Sequence, residues 1–254
     1  MAQTPLIQVD GIGKRFGQVT ALTKISLAVP AGEVHCLLGD NGAGKSTLVN
    51  LLSGVQAPTE GKLLFDGRPV AFATPREARR RGIATVYQDL ALLPLMSIRR
   101  NFFLGREPVR RVGPLPLFDF KRADAVVREQ MARIGIGVRD PRQAVGTLSG
   151  GERQILAIAR AVYFGARALI LDEPTSALGV RQTDLVLDYI RTVRQQGLAV
   201  ILVTHNAGHA YALGDRFTIL NRGACMGTYT RATMTLDALQ SLMGGVPPAD
   251  TESR

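Results

Sequence analysis

The segment from Gly39 to Ser46 reads Gly-Asp-Asn-Gly-Ala-Gly-Lys-Ser and carries the residue types that bind phosphate groups. A short apolar run, Glu33–Leu38, precedes it, and a run with leucines at helical spacing, Ser46–Ser53, follows. In this strand–loop–helix context the pattern predicts a phosphate loop, because backbone N–H groups at a helix N-terminus attract phosphate oxygens. We expect Lys45 to neutralise the β- and γ-phosphates and the Ser46 hydroxyl to bind Mg²⁺. The candidate nucleotide-binding residues here are Gly39, Asp40, Asn41, Gly42, Ala43, Gly44, Lys45, Ser46 and Thr47.

An acidic pair, Asp172–Glu173, follows the apolar run Ala168–Leu171. Parallel strands end at the ligand side of an open sheet, so both carboxylates are placed to act on a bound triphosphate. Asp172 suits Mg²⁺ binding through water, and Glu173 suits orientation or deprotonation of an attacking water. Taken alone, such a pair is more often a helix cap or a turn.

A second glycine-rich helix start lies at Leu148–Glu152. By the same helix-terminus argument it is an anion site, yet one triphosphate needs only one such site. A head-to-tail dimer, in which each subunit's second helix start caps the γ-phosphate held by the other subunit, would use both. The alternative is simple helix capping by Ser149.

Bulk properties limit the classes of protein that the chain can belong to. Its 254 residues contain no apolar run near the roughly 18 residues that span a bilayer, and the start of the sequence lacks a secretory signal pattern. We therefore expect a cytoplasmic location. Cys36 and Cys225 do not form a disulfide framework and are expected to be small buried hydrophobes.

The net charge of +10 attracts polyanions such as nucleotides, nucleic acid or anionic lipid headgroups. Basic residues cluster at Arg76–Arg81, Arg99–Arg100 and Arg110–Arg111. These clusters are equally compatible with solvated helix and loop faces, so charge alone leaves the partner open.

Apolar runs that read as strands alternate with helical patterns along most of the chain, which favours an α/β fold with a mainly parallel sheet. Between Asp89 and Gly146 strand signals fade and prolines such as Pro94, Pro108, Pro114 and Pro116 interrupt the sequence, which indicates a helical insertion. The predicted strands are Leu6–Val9, Ile25–Val29, Glu33–Leu38, Lys62–Asp66, Ile83–Tyr87, Ala168–Leu171, Ala199–Val203, Phe217–Leu220 and Cys225–Tyr229. The predicted helices are Ser46–Ser53, Pro75–Arg81, Ile98–Leu104, Lys121–Ile134, Ser149 to about Tyr163, and Arg181–Gln196.

These motifs, in their order along the chain, closely resemble those of the ABC (ATP-binding cassette) ATPases. The resemblance runs roughly from Leu6 to Met243 and includes Gln88 and His205 beside the motifs above. It implies a P-loop NTPase fold with a mainly parallel core sheet, an antiparallel β subdomain and an inserted α-helical subdomain. The implied domains are a cassette over 5–245, with its helical subdomain at about 89–165, and a flexible tail over 246–254.

The resemblance also implies roles for individual residues. Phe16 matches the aromatic residue that stacks on adenine, and Ser149, Gly150 and Gly151 match the signature turn that meets the partner's ATP. The implied catalytic residues are Glu173, His205 and Gln88, and the implied Mg²⁺ ligands are Ser46, Gln88 and Asp172. His35 and His209 match no motif and are interpreted as structural.

Two positions depart from the family pattern. Glu152 replaces the commoner Gln of the signature turn, a frequent variant that leaves the helix-start chemistry unchanged. Gly179 stands where the family usually has an Asp that helps to couple the two sites of the dimer. Gly179 removes no ligand of ATP or Mg²⁺, although it is the one feature that suggests a non-catalytic regulatory cassette.

Family members work either as the energising subunit of a membrane transporter or as soluble machines on DNA or ribosomes. Only about a hundred residues separate Lys45 from Ser149, with no sustained heptads, and the chain carries one cassette. This organisation favours transport, with the nucleic-acid ATPase as the alternative that the +10 charge motivates.

Finer resemblance points to the ribose- and fructose-type monosaccharide importers, through segments such as Asn101–Glu107 and Ala177–Val180. The fructose-type subgroup shares Gly179 and has single cassettes, which implies a homodimer. The implied partners are ATP, an integral membrane permease and, indirectly, a periplasmic sugar-binding protein, and no nucleic acid is expected. The implied location is the cytoplasmic face of the inner membrane, as a peripheral protein. Leu90–Ile98 is the candidate surface for docking to the permease, with ordinary core as the alternative.

Overall fold

The computed structural model describes residues 4–112, 114–138 and 140–245, and the chain divides into two compact units. The first unit is formed by the residues up to 88, by 166–174 and by those from 190 onwards. The second is formed by 89–165 and 175–189. The tail predicted over 246–254 lies outside the described residues.

The described strands are β1 (Ile7–Phe16), β2 (Val19–Val29), β3 (Val34–Leu38), β4 (Glu60–Phe65), β5 (Arg68–Val70), β6 (Ile83–Val86), β7 (Val109–Val112), β8 (Leu115–Phe118), β9 (Ala168–Asp172), β10 (Ala199–Val203), β11 (Arg216–Asn221) and β12 (Ala224–Thr230). The described helices are α1 (Lys45–Leu52), α2 (Pro75–Arg81), α3 (Ile98–Phe103), α4 (Phe120–Ala132), α5 (Gly150–Tyr163), α6 (Val180–Gln195), α7 (Ala207–Leu213) and α8 (Leu236–Met243). None of these helices is long and apolar enough to cross a bilayer.

Ten of the described strands form one sheet in the first unit, in the order β5-β4-β1-β2-β12-β11-β3-β10-β9-β6. Strands β6, β9, β10, β3 and β11 run parallel to one another, whereas β1, β2, β4 and β5 pair antiparallel. The parallel strands are almost continuous apolar runs because both of their faces are buried. The predicted fold class, a mainly parallel core sheet with an antiparallel β part, is confirmed.

The parallel part of the sheet gathers the chemistry-bearing loops at one edge. The carboxyl ends of β3, β9 and β10 lead directly into Gly39, Glu173 and Thr204, and β6 ends two residues before Gln88. Parallel neighbouring strands end at the same edge, and ligands of open α/β sheets bind at that edge. The sheet topology therefore brings together motifs that are far apart in the sequence.

Strands β1 and β2 are much longer than the predicted runs Leu6–Val9 and Ile25–Val29. Glycines and polar residues between these runs hide the strand signal, yet the two strands pair with each other over most of their length, with register shifts. Gly11, at φ 59°, lies in the interval of one register shift. The pairing between the two strands extends both of them beyond the predicted runs, and the residue pattern of one strand alone does not contain this information.

The second unit buries an aromatic cluster and also contains a hairpin that the sequence did not predict. Phe102 and Phe103 are buried and lie with ring centroids 5.1–6.2 Å from Tyr163, Phe164 and each other. Strands β7 and β8 pair antiparallel within this unit. The strand signal is weak because each strand has only four residues and Pro116 interrupts β8.

His35, on the central strand β3, is a buried histidine with a structural role, as predicted. Its Nε2 lies 2.7 Å from Thr218 Oγ1, and that hydroxyl lies 2.7 Å from Thr228 Oγ1. Burial is the largest cause that lowers the pKa of His35 to about 4, and the positive charge of Arg216 acts in the same direction. The imidazole is therefore neutral in the folded protein over a pH range in which an unfolded histidine is protonated.

This burial predicts a loss of stability in mild acid. The pKa of His35 is lower in the folded state than the usual 6.5, so the unfolded chain binds the extra proton, and stability falls as pH decreases from about 6.5 towards 4. Between pH 7.5 and pH 5 this one group removes about 2 kcal/mol of unfolding free energy. Urea unfolding at both pH values should show a smaller acid-induced loss in His35→Phe than in the wild type. Equal losses in the two proteins would contradict the assignment.

The two cysteines differ in exposure. Cys36 is fully buried on β3, and burial raises the pKa of its thiol, as expected for a small buried hydrophobe. Cys225, on β12, is only half-buried and packs against the core, so the prediction of a buried residue is wrong for this cysteine.

Candidate functional site

The predicted phosphate loop connects β3 to α1 and presents backbone donors at the helix start. Gly44 is the N-cap of α1, at φ 102°, and no side chain caps the first turn or places an acidic group there. The N-terminal N–H groups of α1 therefore have no competing intramolecular side-chain acceptor, and their partial positive charge favours a phosphate. Gly39, at φ 143°, has no room for a side chain, because a Cβ would lie 2.2 Å from the Leu220 carbonyl oxygen.

The loop's own carbonyl groups hold the ammonium of Lys45. Its Nζ donates to the carbonyl oxygens of Gly39 at 2.5 Å and Asp40 at 3.0 Å. The side chain is buried, which is rare for a lysine. A fixed positive charge inside a ring of amide donors suits a polyphosphate.

The turn between β11 and β12 braces the phosphate loop, a feature that sequence reasoning missed. Gly223 N donates to the Ala43 carbonyl oxygen at 3.0 Å, and Thr23 N donates to the Gly223 carbonyl oxygen at 2.8 Å. A Cβ at position 223 would lie 2.5 Å from the Ala21 carbonyl oxygen, so glycine is required here. The sequence predicted the two flanking strands, Phe217–Leu220 and Cys225–Tyr229, but carried no indication of this contact.

Asp172, the last residue of β9, is half-buried at the ligand edge of the sheet. Burial is the first cause that raises the pKa of Asp172, the neighbouring Glu173 carboxylate also raises it, and Lys45 opposes the shift. Two adjacent carboxylates at this edge therefore create a local negative charge that a cation relieves.

Glu173 is held by two residues that follow β10. Its Oε2 accepts from Thr204 Oγ1 at 3.2 Å, and its Oε1 lies 2.8 Å from His205 Nδ1. The Glu173 side chain is 13% exposed, whereas that of His205 is 61% exposed. The structure thus brings together Glu173 and His205, as the sequence predicted, and adds Thr204, which carried no motif signal.

The contact with Glu173 determines the hydrogen position on His205. An ionised carboxylate only accepts hydrogen bonds, so His205 Nδ1 carries the hydrogen and donates to Oε1. In the neutral imidazole the Nε2 atom is then an acceptor, and on protonation it becomes a second donor. The ring can therefore both orient Glu173 and present Nε2 to another group.

Phe16 and Gln88 are both exposed, which their predicted roles require. Phe16, the last residue of β1, has an exposed ring, and Lys14 Nζ lies 5.1 Å from the ring centroid. Gln88 is exposed and is the last residue of the first unit before the chain enters the second. An exposed aromatic ring provides a stacking surface for a nucleobase.

In the second unit, the predicted signature turn is the start of α5 and forms a capping box. Ser149 Oγ accepts from Glu152 N at 3.3 Å, and Glu152 Oε2 accepts from Ser149 N at 2.7 Å. Ser149 therefore caps α5 within its own chain, and the role of this turn as an anion site stays a prediction. Glu152 serves the box through a carboxylate oxygen, and the commoner Gln has an amide oxygen that accepts in the same way.

The glycines of this turn are needed for close packing within the second unit. A Cβ on Gly150 would lie 2.8 Å from Leu178 Cδ2, and one on Gly151 would lie 2.9 Å from Gln182 Cβ. Gly179, by contrast, is exposed and has no atom within 4 Å of an added Cβ, so nothing in the local packing demands glycine there.

A phosphate loop before α1, an acidic pair after β9 and an open mainly parallel sheet together define a P-loop nucleotide-hydrolysing protein. The family model described as ABC transporter matches residues 22–176. The chain belongs to the ABC transporter family and is its ATP-binding cassette, which binds and hydrolyses ATP.

Individual relatives extend the similarity over nearly the whole chain. A fructose import ATP-binding protein of Rhizobium meliloti is 42% identical over 98% of this chain and 97% of its own length. A ribose import ATP-binding protein of Burkholderia pseudomallei is 42% identical over 95% of this chain, which spans only 47% of that protein. Among solved structures, the ADP conformation of an ATP-binding cassette from an ABC transporter has a TM-score of 0.81 at 19% identity, covering 95% of this chain and 96% of the other.

Proposed function

We propose that this chain energises the uptake of a monosaccharide through a membrane permease, as one half of a homodimer of cassettes. The observation that carries the proposal is the 42% identity to a fructose import ATP-binding protein along almost the full length of both chains. Similarity to one half of a ribose import protein points to the same substrate class. A single cassette with two anion-binding helix starts favours pairing with a second copy, at the cytoplasmic face of the membrane.

In the proposed mechanism, the phosphate loop over 39–47 holds the triphosphate and Phe16 stacks on the adenine. Lys45 neutralises the phosphate charge, which its position among the loop carbonyls already supports. Ser149, Gly150 and Gly151 of the second copy approach the same γ-phosphate with the N-terminus of their α5. Two ATP molecules therefore join the copies, and hydrolysis removes the bridge and lets them separate.

The proposed hydrolytic step depends on Glu173, which takes a proton from the attacking water. Thr204 and His205 fix the orientation of this carboxylate through their contacts at 3.2 and 2.8 Å. His205 can offer Nε2 to the γ-phosphate while Nδ1 remains on Glu173. Gln88, the last residue of the first unit before the chain enters the second, transmits the presence or loss of the γ-phosphate to the second unit.

The residues at this edge also suit Mg²⁺, with Ser46, Asp172 and Gln88 as the proposed ligands. The described residues contain no group of three or more His, Cys, Asp or Glu that could hold a metal by itself. The set of Ser46, Asp172 and Gln88 fits magnesium, which typically takes one or two carboxylates and completes its shell with substrate phosphates and water. Burial is the first cause that raises the pKa of Asp172, and the adjacent Glu173 carboxylate adds to it; a cation would offset the negative charge of this pair. When bound, the ion neutralises charge that develops on the phosphates.

The segment Leu90–Ile98 is the proposed surface for docking to the permease. Ile98 is buried, but the other residues of the segment are exposed or half-buried, and Leu95 is 96% exposed. Buried Asn101 holds the segment: its Oδ1 accepts from Leu93 N, and its Nδ2 donates to three backbone oxygens, of Leu93, Met96 and Ser97. One amide thus fixes a loop that presents leucine side chains to a partner.

The proposed function is tested first at the loop. Lys45→Ala should weaken ATP binding about 10–100-fold, because a charge-assisted hydrogen bond to phosphate contributes roughly 1.5–3 kcal/mol. Titration of purified protein with a fluorescent ATP analogue measures the change. Lys62→Ala is the matched control, since Lys62 lies on the surface of the same unit and pairs with exposed Asp10 at 3.3 Å. Undiminished affinity in Lys45→Ala would contradict the loop assignment.

Transport itself is tested in the organism that encodes the chain. Uptake of labelled fructose, ribose and xylose is compared between cells carrying the wild-type gene and cells carrying Lys45→Ala. We expect loss of uptake for at least one of these sugars in the variant. Unchanged uptake of monosaccharides, with ATP hydrolysis confirmed for the purified protein, would separate the ATPase activity from the proposed importer role.

A further inference from the structure

The hairpin of β7 and β8 in the second unit exposes apolar side chains instead of burying them. Val109 is 56% exposed and Leu115 is 62% exposed, and Leu117 and Phe120 are exposed as well. These four belong to a stretch of twelve residues. Leu115 and Leu117 share one face of the hairpin, whereas Val109, which pairs with Phe118, lies on the other face. Singly exposed apolar residues are ordinary, but several on one short hairpin indicate an interaction surface.

Basic side chains lie among these apolar residues. Between positions 106 and 122 the sequence has five Arg and Lys against two acidic residues, a net charge of +3. Arg110 and Arg111, on β7, are both exposed. Arg110 is directly opposite Leu117, so the two share one face of the hairpin with Leu115, two positions along β8.

The base of the hairpin is fixed. Asp119 N donates to the Pro108 carbonyl oxygen at 2.7 Å, and Asp119 Oδ1 caps α4 by accepting from Arg122 N at 3.0 Å. The Phe120 ring lies 4.8 Å from that of Phe118 and is covered by the Arg99 guanidinium at 4.4 Å. Arg99 in turn donates to the Asp124 carboxylate at 3.0 Å. A rigid base that carries exposed leucine and arginine side chains is pre-organised for contact.

We infer that this hairpin is a membrane-contact element that binds an anionic lipid surface. Aliphatic side chains next to arginines match the boundary between acyl chains and negatively charged headgroups, where the arginine stems can lie along apolar surface and the guanidinium groups reach phosphate. Nucleic acid would also attract the arginines, but it offers no apolar layer for Leu115 and Leu117. The inference goes beyond the proposed importer function and does not depend on ATP hydrolysis.

Sedimentation with lipid vesicles tests the inference, using the full chain without nucleotide. We expect the wild type to bind vesicles of phosphatidylcholine mixed with phosphatidylglycerol and to ignore pure phosphatidylcholine. Each Lys or Arg near an anionic surface contributes about fivefold, so the double variant Arg110→Glu/Arg111→Glu should bind at least about 25-fold more weakly. Leu115→Ser/Leu117→Ser, with unchanged charge, should also weaken binding. Added salt should reduce wild-type binding, because headgroup attraction is screened over about 10 Å at 0.1 M.

The matched control is Arg79→Glu/Arg80→Glu on α2, which makes the same change of charge on exposed side chains of the other unit. This control should retain most of the vesicle binding. Absence of wild-type binding to the anionic vesicles would overturn the inference, as would equal losses in the hairpin and α2 variants. ATP hydrolysis and thermal unfolding are measured on every variant. If the wild type hydrolyses ATP but does not bind vesicles, only the lipid inference is overturned. Hairpin variants whose hydrolysis and thermal unfolding are unchanged are folded, so their loss of vesicle binding is not due to misfolding.

Discussion

Glu173→Gln should retain ATP binding and lose at least about 100-fold in the rate of hydrolysis, the usual contribution of a general base. The amide has the shape of the carboxylate, so its oxygen can accept from His205 Nδ1 and its nitrogen can donate to Thr204 Oγ1. The buried contacts that hold residue 173 therefore survive. Proton acceptance does not, because an amide has no basic oxygen at neutral pH.

A second result should accompany the loss of turnover. If ATP joins two copies and hydrolysis separates them, Glu173→Gln with Mg-ATP should elute as a stable dimer in size-exclusion chromatography, while the wild type returns to monomer. Glu129→Gln is the control, because Glu129 is an exposed glutamate on α4 that pairs with Arg133 at the surface. Wild-type turnover in Glu173→Gln would refute the role of this carboxylate as base.

The sequence predicted those site residues whose motif lies within a few consecutive positions, and it missed those that depend on contacts between distant positions. The phosphate loop was predictable because its donors, its lysine and its helix start lie within eight consecutive residues. Pro75–Arg81 was predicted with the observed bounds, because proline at the first helical position and Gly82 after the last one mark both ends. Residues that act through neighbours distant in sequence carried no such pattern. Thr204 contacts Glu173 across 31 positions, and Gly223 contacts Ala43 from a turn far away in the sequence.

The elements that escaped prediction share a related physical cause. Helix α7 has seven residues and begins with an Asn206 cap, a span too short for a helical period to stand out from a turn. The hairpin of β7 and β8 exposes its apolar side chains, so it lacks the alternation of apolar and polar residues that is typical of strands with one buried face. In both cases the local pattern is too weak to separate the element from a turn or loop, although α7 itself buries Ala207, Ala210 and Leu213.

Ser149→Arg should leave ATP binding to the single subunit intact and reduce hydrolysis about 100-fold or more, the range for loss of one donor to a reacting oxyanion. The long guanidinium side chain occupies the space in which α5 of one copy would approach the γ-phosphate held by the other. Loss of the cap also removes about 1 kcal/mol from α5. Ser149→Ala reproduces this loss of the cap without the bulk, and Ala125→Arg adds the same charge at an exposed position of α4.

The shared site makes a sharper test possible, because two inactive variants should complement each other. In a mixed dimer of Ser149→Arg with Glu173→Gln, one site combines the phosphate loop and Glu173 of the first copy with the intact Ser149 turn of the second. The other site carries both defects. Mixing the two proteins before adding Mg-ATP should therefore restore hydrolysis well above either variant alone, with at most one working site per dimer. If each subunit instead hydrolysed ATP within its own chain, the mixture would stay as inactive as its components, and the proposed contribution of the second copy would fail.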